Sequence, residues 1–334
     1  MLDLKDMELE HVKGNTWVLK SWLMIPCYKI DDRRCILLDS GIREQRDQLE
    51  ETLKKAGLTC VGVIGSHAHM DHTGSHAYFQ RKNGATVAMS LGEAGIQASR
   101  YGLEIQSNNL SPKQIEEDRR LGNTECVADL VIMPKDRTVT VCGVTFDVIH
   151  TPGHSVDHIC IRTPDNVLYL GDTIMTGKTL YRAKFPYILA VEGYFESLTR
   201  LRTEPADFYI AAHWGVYPEI ISYIDMELRF LSQRMKDILG MIEGKMTVSQ
   251  LTQKICHQYG VNAQKIGDLT YFERATRAYI YYLLDRGDVE AVIDDNTLVF
   301  QRTEKSFQDV KEDSAVGIPR PGALSAQLLG LSGR

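Results

Sequence analysis

The sequence predicts an α/β protein of layered sheets and helices with a smaller helical segment behind it, on three observations. Over the first two thirds of the chain, short runs of Val, Ile and Leu alternate with amphipathic helical stretches and with Gly, Asp and Asn turns. The 334 residues are 43% hydrophobic and 25% charged, enough apolar material for one large core or two smaller ones. After Pro218 the pattern changes to long amphipathic helices.

Trp17-Val18-Leu19, residues 25–30 and Cys35-Ile36-Leu37-Leu38 read as strands, the last closing on Asp39-Ser40-Gly41. Residues 43–55 carry Leu49 and Leu53 among many charges and stop at Gly57, the pattern of a solvent-facing helix. Val61-Gly62-Val63-Ile64 is then a buried strand running into Ser66-His67-Ala68-His69-Met70-Asp71-His72. A helix is expected from Thr73 through Phe79, then the strand Thr86-Val87-Ala88-Met89. Residues 92–125 are mostly polar with helical pieces, longer than an ordinary connection, and fit either a lid or a surface helix pair. Strands resume over 130–132, 137–141, 144–150, 158–162 and 167–170, with Thr163-Pro164-Asp165-Asn166 as a hairpin turn. Residues 194–201 form a helix, and Phe208-Tyr209-Ile210-Ala211-Ala212 a buried strand ending at His213. Beyond Pro218, residues 219–244 repeat apolar positions at helical spacing, Thr247 and Gln250 form a capping box, and a third helix covers 272–284. Two short strands, 289–293 and 298–300, flank Asp294-Asp295-Asn296, an order similar to a winged helix.

A formal charge of -6 gives no general support to binding nucleic acid or anionic membrane. The seven cysteines (Cys27, Cys35, Cys60, Cys126, Cys142, Cys160, Cys256) are scattered and never in a C-x-x-C pair, which favours reduced thiols over a disulfide framework. The opening residues lack a basic segment followed by an apolar one, and no apolar run approaches the roughly 18 residues of a membrane span. The expectation is a cytoplasmic protein without membrane contact.

Half of the ten histidines fall into one pattern. In extended backbone, residues two apart face the same side, so His67 and His69 can grip one ion while the following turn swings Asp71 and His72 toward a second. His154 in Thr151-Pro152-Gly153-His154, Asp172 in Leu170-Gly171-Asp172-Thr173 and His213 in Ala211-Ala212-His213-Trp214 each follow an expected buried strand, where strand ends deliver side chains to a shared edge.

In this order and these contexts, with the turn Asp39-Ser40-Gly41, residues 8–215 resemble the metallo-β-lactamase superfamily of hydrolases. The resemblance implies an αββα sandwich with metals at one edge between two sheets. By the same resemblance His67, His69 and His154 would hold one metal, Asp71, His72 and His213 the other, and Asp172 would bridge them. Two divalent ions about 3.5–4 Å apart can share a hydroxide that is a nucleophile at neutral pH, and Asp71 would orient it and pass on a proton. Imidazole and carboxylate ligands without thiolate suit Zn²⁺ best, and Mn²⁺ and Fe²⁺ are compatible. The implied division is a catalytic domain over 1–217, a helical winged-helix-like domain over 218–302, and a disordered tail over 303–334.

Antibiotic-degrading members commonly have a cysteine where this chain has Asp172, so the chain looks more like the thioesterase, lactonase and phosphodiesterase branches. The C-terminal part is similar to lactamase-beta-2-like or glyoxalase II-like hydrolases, whose relatives include RNA-cleaving enzymes. Yet between residues 245 and 303, Lys245, Lys254, Lys265, Arg274, Arg277, Arg286 and Arg302 are balanced by Asp268, Glu273, Asp285, Asp288, Glu290, Asp294 and Asp295. That balance favours capping of the site or homodimer packing over RNA binding, and an ester, thioester or lactone of a small metabolite over a phosphodiester. A non-catalytic metal-binding interaction protein is the reading from another class. His150 and His158 are expected as satisfied strand histidines and His76 as a helix-surface or supporting residue. Lys178, Tyr181, Arg182 and Tyr194 fit substrate contacts as well as ordinary surface, while His11 and His257 carry no assignment.

Overall fold

The computed structural model describes residues 7–106, 113, 124–175, 180 and 183–304. One sheet takes its seven strands in chain order: β1 (Glu8–Lys13), β2 (Thr16–Lys20), β3 (Met24–Lys29), β4 (Arg34–Leu38), β5 (Thr59–Gly65), β6 (Thr86–Ser90) and β7 (Leu130–Ile132). β1 to β4 meander antiparallel; β4 to β7 run parallel. Parallel neighbours need crossovers, and α1 (Arg46–Lys55) and α3 (His76–Asn83) supply them after β4 and β5. The second sheet contains β8 (Thr138–Val141), β9 (Val144–His150), β10 (Ile159–Arg162), β11 (Val167–Tyr169), β12 (Phe208–Ala211) and β13 (Gly215–Tyr217), ordered β13-β12-β11-β10-β9-β8. β11 and β12 are parallel, and the helix Val191–Leu201 lies in their crossover.

Strand alternation explains how the second sheet is buried on both faces. Phe146, Val148, Ile159, Ile161, Val167, Tyr169 and Ile210 point into a core shared with the first sheet. The residues between them, Ile149, Cys160, Leu168, Tyr209 and Ala211, point into another core lined by the C-terminal helices. On the first sheet's outer face, Leu49 and Leu53 of α1 and Ala77 and Phe79 of α3 join the shared core. The result is the layered α/β arrangement expected, with sheet on sheet and helices outside.

α2 (Met70–Thr73), α4 (Leu91–Gln97) and α5 (Arg100–Gln106) complete the first half. The expected helix from Thr73 to Phe79 is broken instead: α2 ends where the Gly74 amide turns out to the Gly41 carbonyl at 2.9 Å, and α3 starts afresh at His76. Among the described residues of 92–125, α4 and α5 are the helices; most of the rest of this stretch lies outside the described residues. In the second half, α6 (Val191–Leu201) is followed by α7 (Ile221–Met241), α8 (Val248–Gln258) and α9 (Ile266–Asp285), then by the hairpin of β14 (Val289–Asp294) and β15 (Thr297–Arg302). Thr247 caps α8 through the box with Gln250. α9 begins six residues ahead of the expected 272, because Asp268 accepts from the Lys265 amide and fixes the start. Asp295 and Asn296 take φ of 44° and 57°, the left-handed pair of a two-residue hairpin loop. β1, a half-polar edge strand, and β13, an edge strand of three residues, were not foreseen, since neither offers a long apolar run. Among the described residues no helix is long and apolar enough to cross a membrane. All seven cysteines are free, six of them buried.

Candidate metal centre

Four strands of the two sheets end at one edge and deliver the seven residues singled out above. β5 leads into His67, His69, Asp71 and His72, β9 into the loop of His154, β11 into Asp172, and β12 into His213. The edge is tied across the sheets where the Ile159 amide donates to the Ser66 carbonyl at 3.0 Å, and within the second sheet where the Ala212 amide donates to the Gly171 carbonyl at 3.2 Å. His67, His69, His154 and Asp172 present ligand atoms within 4.8 Å of one another, and so do Asp71, His72 and His213.

In the first group, His69 Nδ1 lies 2.8 Å from His67 Nε2 and 3.0 Å from His154 Nε2. Three ring nitrogens meeting at such distances cannot all be supplied with protons, whereas three lone pairs around one cation satisfy them all. Burial drives these rings toward the neutral form, bringing His69 down to about 3 and His154 to about 4. Asp172 Oδ2 stands 3.5 Å from His154 Nε2.

The second group is richer in charge. Asp172 Oδ1 is 3.3 Å from His72 Nε2 and 3.4 Å from His213 Nε2, and Asp71 Oδ2 is 3.4 Å from His213 Nε2. Asp172 thus reaches both groups. His72 Nε2 is buried with no hydrogen-bond partner among the described residues, 3.8 Å from Asp71 Oδ2. Burial opposes the charged form of His213, but Asp172 and Asp71 outweigh it and raise the imidazole to about 9. For Asp71 burial works against ionisation, yet His72 and His213 outweigh it and hold the carboxyl well below its usual range. The donor set, imidazole nitrogens and carboxylate oxygens converging on two points, fits two divalent cations and leaves no thiol among the seven.

A buried anion behind the site fixes the tautomers. Asp39, at the end of β4, accepts from the Ser66 amide (2.7 Å), the Ser66 hydroxyl (2.7 Å), the Tyr169 hydroxyl (2.6 Å) and His72 Nδ1 (2.7 Å). His72 Nδ1 therefore carries the proton and Nε2 offers its lone pair to the site. Because the Ser66 hydroxyl is spent on Asp39, it accepts from His67 Nδ1 at 3.0 Å, which fixes the second ring the same way. On the far side Glu93 of α4 joins the two histidine segments. Its Oε2 accepts from the Ala68 amide at 2.8 Å, and its Oε1 from the Ser155 hydroxyl at 2.6 Å and the Asp157 amide at 2.9 Å.

Several surrounding residues differ from expectation. His158 is buried and does more than satisfy itself: its Nε2 accepts from the Asp172 amide at 3.2 Å, while Nδ1 meets the Thr151 hydroxyl at 2.9 Å. His150 is structural, with Nε2 3.0 Å from the Asp136 carbonyl. His76 is fully buried rather than on a helix surface, because α3 packs it on Ser40, whose Oγ is 2.7 Å from Nδ1. Tyr194 is no substrate contact: it is buried beneath the loops and donates to Glu227 Oε1 at 2.6 Å. Lys178, Tyr181 and Arg182 lie outside the described residues. Glu93 was missed; its signal was an acid in the first helical turn after strand β6. Glu227 was missed because an acid in the apolar stripe of a long helix reads as an exception to it.

The profile of the Metallo-beta-lactamase superfamily matches residues 21–213. A hydroxyacylglutathione hydrolase of Hydrogenovibrio crunogenus is 27% identical over 163 residues, 48% of this chain and 46% of that one. An atrochrysone carboxyl ACP thioesterase of Emericella nidulans is 26% identical over 210 residues, 61% of this chain and 55% of that one. The chain thus spans about half the length of these curated relatives. A crystal structure of a beta-lactamase domain protein from Burkholderia ambifaria shares the fold over 88% of this chain and 93% of that one, with a TM-score of 0.66 at 18% identity.

Proposed function

The chain belongs to the metallo-beta-lactamase superfamily, and from that premise we propose that it is a two-metal hydrolase of a carboxylic ester, thioester or lactone. The observation that carries this reading is the pair of ligand groups meeting at Asp172. His67, His69 and His154 would hold one ion, Asp71, His72 and His213 the other, and Asp172 would touch both; Zn²⁺ suits these donors best. When bound, the ions supply Lewis acidity toward the substrate carbonyl and make a water acidic enough to attack near neutral pH. Asp71, kept ionised by His72 and His213, accepts a hydrogen bond from the attacking water and so orients it. His158 and Glu93 hold the Asp172 and His154 segments in register, so the site is assembled before substrate arrives. Relatives named for cleaving glutathione and carrier-protein acyl compounds support the acyl side of this choice. We take residues 1–217 as the part that carries the chemistry and 218–302 as a cap on it.

Metal analysis and a substrate panel on one preparation test the proposal. Close to two ions per chain are expected, with turnover of at least one thioester, ester or lactone. Asp71→Ala should lower kcat/KM by about 10²-fold or more. A fully active Asp71→Ala variant overturns the mechanism, and turnover confined to phosphodiesters overturns the substrate class.

A further inference from the structure

The C-terminal helices reach the mouth of the metal centre through an aromatic pair. Tyr187, in the segment before α6, has its ring centroid 6.3 Å from that of His69 and 6.4 Å from that of His154. Tyr271, on the first half of α9, stacks on Tyr187 at 4.9 Å with 26° between the planes. Tyr187 is half-buried and Tyr271 is 37% exposed, so the stack presents part of its ring surface to solvent beside the cluster of histidines and aspartates. Arg274, one turn on from Tyr271, fixes the arrangement: its guanidinium lies 5.8 Å from the Tyr187 ring centroid and donates to the Gln106 carbonyl at 3.0 Å, tying α9 to the end of α5. Val156, two residues beyond His154, adds a further exposed apolar side chain to the same loop.

Rings left open to water beside a reactive centre form a binding wall for flat or aliphatic groups. The thiols and alcohols that carry acyl groups in cells are polar and charged, whereas acyl chains are not, so the acyl side of the substrate matches this surface. We propose that Tyr187 and Tyr271 form an acyl-binding wall, which makes the preferred substrate a thioester or ester of an apolar acyl group of several carbons. This rests on the hydrolase reading above. Tyr271 acts here as a specificity-determining residue supplied by the C-terminal helices, and Arg274 as the residue that positions the stack.

The test uses the full chain loaded with zinc and a series of N-acetylcysteamine thioesters from acetyl to octanoyl, with the leaving group held constant. kcat/KM should rise about two- to fourfold per added methylene over the first few carbons, fourfold corresponding to complete burial. Tyr271→Ala should flatten that series, losing about tenfold on octanoyl and less than about twofold on acetyl. Tyr271→Phe should keep the wild-type slope, since the ring face does the binding. Calorimetric titration with octanoate and acetate gives a readout without turnover: octanoate should bind more tightly to wild type, and Tyr271→Ala should remove the difference. A series that is flat in wild type, or a Tyr271→Ala loss equal on both thioesters, overturns the wall. Absence of all turnover together with selective octanoate binding refutes the hydrolase reading and supports the wall.

Discussion

Asp39 shows how much of the candidate centre depends on a residue that is not among the seven able to hold a metal. Its carboxylate takes four donors, two of them set by the strand end of β5 and one each by His72 and Tyr169. Burial works against its charge, but His72 and the hydrogen bonds from Tyr169 and Ser66 outweigh that and keep it ionised. Asp39→Asn would put an amide nitrogen among these donors and release the tautomer of His72. Zinc affinity, measured by competition with a chelator, should fall about 10- to 100-fold. Unfolding stability should also fall, by about 2 kcal/mol or more, since buried donors lose their acceptor. Unchanged zinc affinity would refute the role given to Asp39. The seven candidate ligand positions were legible in the sequence because each follows a strand end and the first four share one short run. Asp39 was visible as a turn, but its role was not: a hydrogen-bond network spanning β4, β5 and β11 has no local spacing to betray it.

Between elements, the decisive contact is the approach of the His154 loop to α6. Gly153 has φ of 135°, and a Cβ built there would stand 2.4 Å from both the amide nitrogen and the Cα of Tyr194. Those are backbone atoms at the start of a helix and cannot step aside, and the Leu189 and Ala190 amides donate to the Gly153 carbonyl at 2.9 and 3.0 Å. Gly153→Ala should therefore combine backbone strain with overpacking and cost about 3 kcal/mol in urea unfolding. Gly143→Ala, in the open hairpin turn between β8 and β9, has φ of 83° and nothing near the added methyl, so it isolates the strain at about 1 kcal/mol. Equal costs at the two positions would mean that the helix can yield and that the loop is not held by α6. Most strands and helices were legible as periodic runs, and the capping box of α8 gave its start directly. The edge strands β1 and β13 were not, because β1 sets only Leu9 and Val12 among polar residues and β13 is three residues long, so their pairing depends on the neighbour strand rather than on their own pattern. The break between α2 and α3 escaped for the same kind of reason: it is set by the Gly41 carbonyl from another part of the chain.

Across the whole molecule, Glu227 is a point where the C-terminal helices and the edge with the candidate metal ligands meet. It sits in the apolar stripe of α7, fully buried, in the core that joins the outer face of the second sheet to α6, α7, α8 and α9. One carboxyl oxygen accepts from the Met175 amide at 3.0 Å, three residues beyond Asp172, and the other from the Tyr194 hydroxyl at 2.6 Å, next to the loop of His154. The sequence showed a change of character at Pro218 but not that the helices beyond it share a core with the sheet before it, since that core is built from alternate residues of both. Burial raises the Glu227 carboxyl from 4.5 to about 8, and the two hydrogen bonds do not offset it. The folded state therefore binds this proton more tightly than the unfolded chain does. The associated stability is fully present below about pH 4.5 and is lost as pH rises through 8. Glu227→Gln cannot titrate, and it keeps one carbonyl oxygen for the Tyr194 hydroxyl or the Met175 amide. Between pH 5 and 8 the urea midpoint of wild type should drop relative to that of the variant, and the two curves should run parallel again above pH 9. Curves that stay parallel from pH 5 to 8 would mean that Glu227 is not protonated in the folded protein, and that the joint between the helices and the Asp172 loop is held by an ionised carboxylate instead.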